Sequence, residues 1–227
     1  MTTRTTWKRR LLAVAALGAV GLAATPVPAA ATTGAVAPTD ASAAGLLPPS
    51  VTSTVPVGYS CYVTFPGGST TVPFSLTFTA SAPQKVAPYR PFAVTLDPQE
   101  WTPDPKFNQQ VRTVKVRYKL PDNAWYVWHT LSGGKNLTTP PQAQYDWSTR
   151  VLTITETGPL PASVPFDLPT VTVYLLSGPS GTARTTTGGT SLTDPSWTWV
   201  RTDLEGVERP FDCNPASPVV FTSTTIG

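Results

Sequence analysis

The alternation of apolar and polar positions is sharpest between Val111 and Leu131, VRTVKVRYKL-PDNA-WYVWHTL. Arg112, Val114, Val116, Tyr118 and Leu120 fall on one face of a strand, and Thr113, Lys115, Arg117 and Lys119 on the other, a period of two. Asp122 and Asn123 tolerate the left-handed backbone of a two-residue turn, so the pattern predicts a hairpin. Its register sets Leu120 opposite Trp125, Tyr118 opposite Val127, Val116 opposite His129 and Val114 opposite Leu131 as a buried face. The other face then pairs Lys119 with Tyr126, Arg117 with Trp128 and Lys115 with Thr130. Cations held over exposed aromatic rings stabilise by roughly 0.5–1 kcal/mol each. Arg117, Lys119, Tyr126 and Trp128 are therefore the candidate binding surface.

The same period recurs along the chain. Tyr59, Cys61, Val63 and Phe65 alternate with polar positions, and the turn Pro66-Gly67-Gly68 follows. Val72, Phe74, Leu76 and Phe78 come next, with Pro73 marking an edge or a bulge. Phe92, Val94 and Leu96 form another run, and further strands are expected near 151–155, 171–176, 197–202 and 219–222. No stretch of this region keeps a helical period, and the chain's 26 prolines oppose helices. About nine short antiparallel strands with turn residues between them predict an all-β, immunoglobulin-like β-sandwich.

The N-terminus reads differently. Arg4, Lys8, Arg9 and Arg10 precede an apolar run from Leu11 to Ala24, and Ala29-Ala30-Ala31 offers a cleavage site. Residues 1–31 are read as a signal peptide, with Sec export preferred to the twin-arginine route. The apolar run is shorter than the roughly 20 residues a span requires. Residues 32–56, rich in Ala, Thr, Pro and Ser, are expected to be a disordered leader, and 57–227 the sandwich domain. No transmembrane span is expected after cleavage.

Removing the signal changes the charge. The chain has 16 basic and 13 acidic residues, and four of the basic ones lie in residues 1–31. The remainder carries twelve against thirteen, a net −1, which gives no reason to expect nucleic-acid binding. Two cysteines in an exported chain most simply pair, so Cys61 and Cys213 are expected to form a disulfide joining the first strand to the last.

Chemistry-bearing clusters are sparse. The single histidine, His129, falls on the predicted buried face, and no GxSxG elbow accompanies it. Asp203, Glu205, Glu208 and Asp212 are the densest acids, but their spacing matches no calcium loop, and Arg201 and Arg209 lie close in sequence. They read as a salt-bridged loop. No catalytic residue, metal site or cofactor is expected. Trp197, Trp199 and Arg201 share one strand face.

Tyr59-Ser60-Cys61, Thr130-Leu131-Ser132-Gly133-Gly134-Lys135-Asn136, Gly158-Pro159-Leu160, Leu168-Pro169-Thr170-Val171-Thr172-Val173, Gly188-Gly189-Thr190-Ser191, Asp194-Pro195, Cys213 and Thr222-Ser223-Thr224-Thr225-Ile226 occur in that order. The pattern resembles an uncharacterised family of secreted proteins from high-GC Gram-positive bacteria, often labelled dehydratase or cyclase automatically. That resemblance implies an extracellular β-sandwich with a paired cysteine at each end, and it supplies no catalytic residue. The Trp- and Lys/Arg-rich hairpin departs from the family pattern.

Together these observations predict a secreted, non-enzymatic protein of the extracellular space or cell envelope. Its partner is expected to be cell-wall polysaccharide or another envelope protein. The alternatives are a carbohydrate-binding or adhesive module built on the exposed Trp and Tyr residues, and an extracellular lyase or hydrolase. The last needs a cleft with two convergent ionisable groups.

Overall fold

The computed structural model describes residues 47–227. The signal over 1–31 and most of the leader lie outside the described residues. Fourteen strands form the described part: β1 (Val51–Phe65), β2 (Gly68–Ala82), β3 (Lys85–Val86), β4 (Pro91–Pro98), β5 (Gln110–Lys119), β6 (Ala124–Ser132), β7 (Gln142–Asp146), β8 (Val151–Glu156), β9 (Leu160–Pro161), β10 (Thr170–Ser177), β11 (Gly181–Thr187), β12 (Trp197–Thr202), β13 (Glu208–Asn214) and β14 (Val220–Ile226). No helix occurs among the described residues. The all-β, sandwich-like fold is as the alternation predicts, with more strands than the nine expected, two of them (β3 and β9) only two residues long.

One hydrogen-bonded path runs β3-β14-β11-β5-β12-β13-β1-β2-β4-β10-β6, with β8 and β9 also on β5 and β7 on β8. The path folds over on itself through the β1–β2 hairpin, whose 15-residue strands pair along their full length. Ser60–Val63 of β1 continue onto β13, whereas Phe78–Ser81 of β2 continue onto β4. The hairpin thus carries the sheet from one layer to the other. Its two-residue turn follows from Pro66 and from Gly67 at φ +89°, a conformation that glycine adopts without strain.

Between the layers the alternating residues interlock. Phe78 is fully buried and touches Tyr118 of β5, Trp197 of β12 and Phe221 of β14, with centroid separations of 6.3, 6.3 and 4.8 Å. Cys61 and Cys213 stand directly opposite each other on β1 and β13 and form the expected disulfide, with no free cysteine among the described residues. Pro73 lies on the part of β2 that β4 does not reach, the edge position its missing N–H requires.

Two expectations are corrected. First, order begins before residue 57. Val51–Val55 pair with Phe78–Ala82, and Val55 packs against the core, so the end of the supposed leader is strand. The composition of 32–56 concealed this because Val51 and Val55 find their partners more than 20 residues downstream, at Ala82 and Phe78.

Second, β5 and β6 are not a hairpin. Both edges of β5 are occupied, one by β11 and β12 and the other by β8 and β9, while β6 pairs with β10. The connection Leu120–Asn123 is an arch between layers. Arg150 donates to the carbonyls of Pro121 and Asp122, and Asn123 is gripped from the next turn, where Gly178 N–H donates to its carbonyl at 2.9 Å. A Cβ on Gly178 would fall 2.5 Å from that carbonyl oxygen. Gly178→Ala is therefore expected to cost about 1–3 kcal/mol, read as a lowered urea midpoint with an unchanged m-value.

The acidic stretch is a locked turn. Asp203 is buried and accepts from Glu205 and Val207 N–H groups and, at 2.5 Å, from Arg209 Nε. Arg112 pairs with Glu208, and Thr198 donates to Asp212 at 2.6 Å. The hydrogen bond from Arg209 holds the Asp203 carboxyl below its ordinary 3.8. Hydrogen bonds from Ser148 pull Asp146 down to about 2, and Arg117 lowers Asp194. Groups depressed in the fold stabilise it above their unfolded pKa and lose that contribution as pH falls through the folded value. Acid unfolding is expected to set in below about pH 4 and steepen toward about pH 2, checked by circular dichroism against pH. Asp203→Asn should flatten that dependence.

Candidate functional site

The structure separates the four residues of the predicted surface. Arg117 and Lys119 remain on β5, where Arg117 pairs with Asp194 and donates to the Pro195 carbonyl at 2.9 Å. Lys119 donates to the Thr149 carbonyl at 2.8 Å and lies 3.3 Å from Asp122. Tyr126 and Trp128 belong to β6, which β5 does not touch through its backbone. The cation–aromatic pairs Arg117–Trp128 and Lys119–Tyr126 of the predicted hairpin therefore do not form. His129 faces Val173 of β10 in the ladder, not Val116.

A bulge explains the rest. In the β6–β10 ladder Trp128 pairs with Tyr174 and Tyr126 with Leu175, so Val127 has no partner and the side-chain phase slips there. Tyr126 and His129 both turn toward the buried side of β10, marked by Leu175 and Val173, while Trp125 and Trp128 turn outward with Leu176 and Tyr174. Trp125 and Val127, predicted to be buried, are 47% and 56% exposed.

The inward pair closes the seam between two sheet edges. Tyr126 stacks on Tyr145 of β7 at 4.2 Å, and Trp147 meets both rings edge-on at 5.5 and 4.8 Å. The Tyr126 hydroxyl and His129 Nδ1 are hydrogen-bonded at 2.6 Å. Partial burial pushes the imidazole below its ordinary 6.5, favouring the neutral ring, so a protonated donor is not what this site maintains. No carboxylate touches His129, and among the described residues no group of three or more His, Cys, Asp or Glu gathers as a metal site.

The outward pair is a different object. Trp128 and Tyr174 stack at 4.3 Å with their planes 7° apart. Trp128 is 49% exposed although Tyr174 backs one of its faces, and β6 ends the hydrogen-bonded path, so the ring stands at an open sheet edge. Further along β6, Trp125 lies beside Tyr89, 6.4 Å between centroids and 16° from parallel. Tyr89 is 61% exposed and sits at φ +57° in the turn before β4, where its N–H donates to Gly178 O. Polar neighbours complete the face: Thr95 and Thr172 share a hydroxyl hydrogen bond at 3.2 Å, and Thr170 donates to Asp97 at 2.7 Å.

Tyr174 and Tyr89 were absent from the sequence-derived surface. The signal for Tyr174 was present: Val171, Val173 and Leu175 occupy the buried phase of β10, and an aromatic sits in the phase otherwise held by Thr170 and Thr172. Tyr89 gave no such signal because it lies outside any alternating run.

No protein-family model matches this chain, and no curated protein matches it. Among solved structures, the chain is similar to a "putative membrane anchored protein" from Corynebacterium diphtheriae, a high-GC Gram-positive bacterium, at 14% identity and a TM-score of 0.53. The match covers 77% of this chain and 38% of the other, so this chain spans well under half the length of its neighbour. At that identity the likeness is one of fold.

Proposed function

We propose that this is a non-enzymatic protein of the extracellular space or cell envelope, and that the Trp128–Tyr174 face of β6 and β10 binds polysaccharide. The observation that carries the reading is Trp128, half exposed at an open edge with its inner face braced by a parallel ring. A braced indole loses little side-chain freedom when a pyranose ring packs on its free face, and sugar C–H groups favour the electron-rich surface. Trp125 with Tyr89 supplies a second stacking position on the same side. The hydroxyls of Thr95 and Thr172 offer donors and acceptors beside Tyr174, on the side away from Trp125.

The buried disulfide supports an oxidising location, and the Corynebacterium neighbour is named as membrane anchored, which fits the envelope. No helix of the described residues is long and apolar enough to cross a membrane. Membership of the secreted family that the sequence motifs resemble is consistent with these features, as is export through the signal over residues 1–31.

Affinity electrophoresis in gels containing cell-wall polysaccharide tests the reading. The wild type should be retarded, Trp128→Ala should bind about tenfold more weakly, and Arg117→Ala should match the wild type because Arg117 sits on β5 against Asp194. Equal retardation of wild type and Trp128→Ala would remove the proposal.

A further inference from the structure

A second concave site lies away from that face. It has a volume of about 620 Å³ and opens between the tip of the β1–β2 hairpin, the loop from Trp101 to Asn108, and strands β12 and β13. That volume falls within the range of sites that enclose small organic ligands. Phe74, Trp101, Trp199 and Phe211 make an almost continuous aromatic wall: Trp199 stacks on Phe211 at 4.0 Å and meets Trp101 at 4.7 Å, and Phe74 stands edge-on to both tryptophans. Phe65 and Phe107, also lining it, are 41% and 63% exposed.

Two charged side chains line the cavity, Arg201 and Asp104. Four arginines among the described residues are partly buried: Arg117, Arg150, Arg201 and Arg209. Three have a carboxylate partner, namely Asp194, Asp122 and Asp203. Arg201, which lines the cavity, has none within ion-pair distance. Its two terminal nitrogens donate to the carbonyls of Phe107 and Thr64 at 2.9 and 2.8 Å, which ties the loop to the hairpin tip, and its Nε is buried without a partner. Two residues along β12, Trp199 is 3% exposed, and its indole N–H is likewise buried with nothing to donate to. Asp104 is the one carboxylate in the lining, and its Oδ1 already accepts from Lys106 N–H. The site therefore combines apolar rings with an arginine that has no carboxylate within ion-pair distance, while the unpaired N–H groups of Arg201 and Trp199 are buried.

We infer that this cavity binds a single-chain anionic amphiphile, an acyl chain ended by a carboxylate. The chain packs on Trp101, Trp199 and Phe74, and the head group accepts from the Arg201 guanidinium, which bridges the loop and hairpin at the cavity's edge. A neutral apolar molecule would fill the same space and leave the guanidinium charge uncompensated. This site is independent of the polysaccharide face, so failure of either proposal leaves the other standing.

Titration of the full mature chain with oleate, followed through its tryptophan fluorescence, tests the inference against oleyl alcohol of the same chain length. Oleate is expected to bind at least about tenfold more tightly than the alcohol. Arg201→Gln should remove that preference by weakening oleate about tenfold and leaving the alcohol unchanged. Val72→Trp, which places an indole into the cavity from β2, should abolish both. Thermal melts confirm that each variant is folded; should Arg201→Gln unfold, Val72→Trp and the wild-type preference decide. Equal binding of oleate and alcohol by the wild type, or oleate binding undiminished by Val72→Trp, overturns the inference, as does no binding at all.

Discussion

Replacing Cys61 and Cys213 by alanine together is expected to lower the free energy of unfolding by about 5 kcal/mol. The bridge closes a loop of 152 residues, and in the chain-entropy account a loop of that length removes about 5 kcal/mol of disorder from the unfolded state. Domains of this kind have a total stability of about 5–15 kcal/mol, so the variant should be marginal or unfolded at body temperature. A urea series on wild type and variant checks the magnitude. Burial adds a kinetic corollary, since both cysteines are 0% exposed and a thiolate must reach a sulfur to exchange with it. Dithiothreitol alone should leave the bond intact over hours, and the same reagent in denaturant should release two thiols. Rapid reduction of the folded protein would show that the β1–β13 contact opens far more readily than its packing implies.

How much of this was legible in the chain varies from strand to strand. The buried phase from Val114 through Val116 and Tyr118 to Leu120 was correct because alternation depends on the backbone period alone. It does not extend to Arg112, which is exposed while Val111 is buried, because the strand is irregular at Thr113, φ +51°. The partners of β5 were not correct, because pairing depends on residues far away in sequence: Thr153 and Ile154 on one side, and Trp197 and Thr198 on the other. Proximity to Asp122-Asn123 favoured a hairpin, and nothing local announced that Gly178 and Arg150 would hold that segment as an arch. The predicted surface divides for two reasons, the absence of β5–β6 pairing and one extra residue in β6. Val127 is extra in its ladder, and this single bulge exchanges the faces of Tyr126 and Trp128 relative to each other. Trp128 survived as an outward ring because the bulge and the wrong pairing displaced its supposed neighbours, Arg117 and Tyr126, rather than Trp128 itself. Cys61–Cys213 was readable since two cysteines allow one pairing. The cavity was half readable: Trp199 and Arg201 were placed on one face from the start, but Phe74, Trp101 and Phe211 meet them only through the fold.

Trp197→Ala is expected to cost about 3–5 kcal/mol, the range for emptying a fully buried aromatic site. Trp197 is 1% exposed, meets Phe78 edge-on at 6.3 Å, and lies 6.5 Å from Phe74. Its Nε1 is buried without a partner, so Trp197→Phe deletes an unsatisfied donor along with some volume and should cost appreciably less than the alanine variant. The urea midpoints in order, wild type above Phe above Ala, give the test; a Phe variant as unstable as Ala would mean that the indole N–H has a partner in solution. Trp197 also stands directly opposite Cys213, which stands opposite Cys61, so three buried side chains follow one another across β12, β13 and β1. Contacts that close make separate losses non-additive by about 0.5–3 kcal/mol. In a cycle combining Trp197→Ala with the cysteine pair, measured where all four proteins fold, the combined loss should differ from the sum. Strict additivity would mean that the disulfide acts on the unfolded chain alone and that the tryptophan packs as well without it.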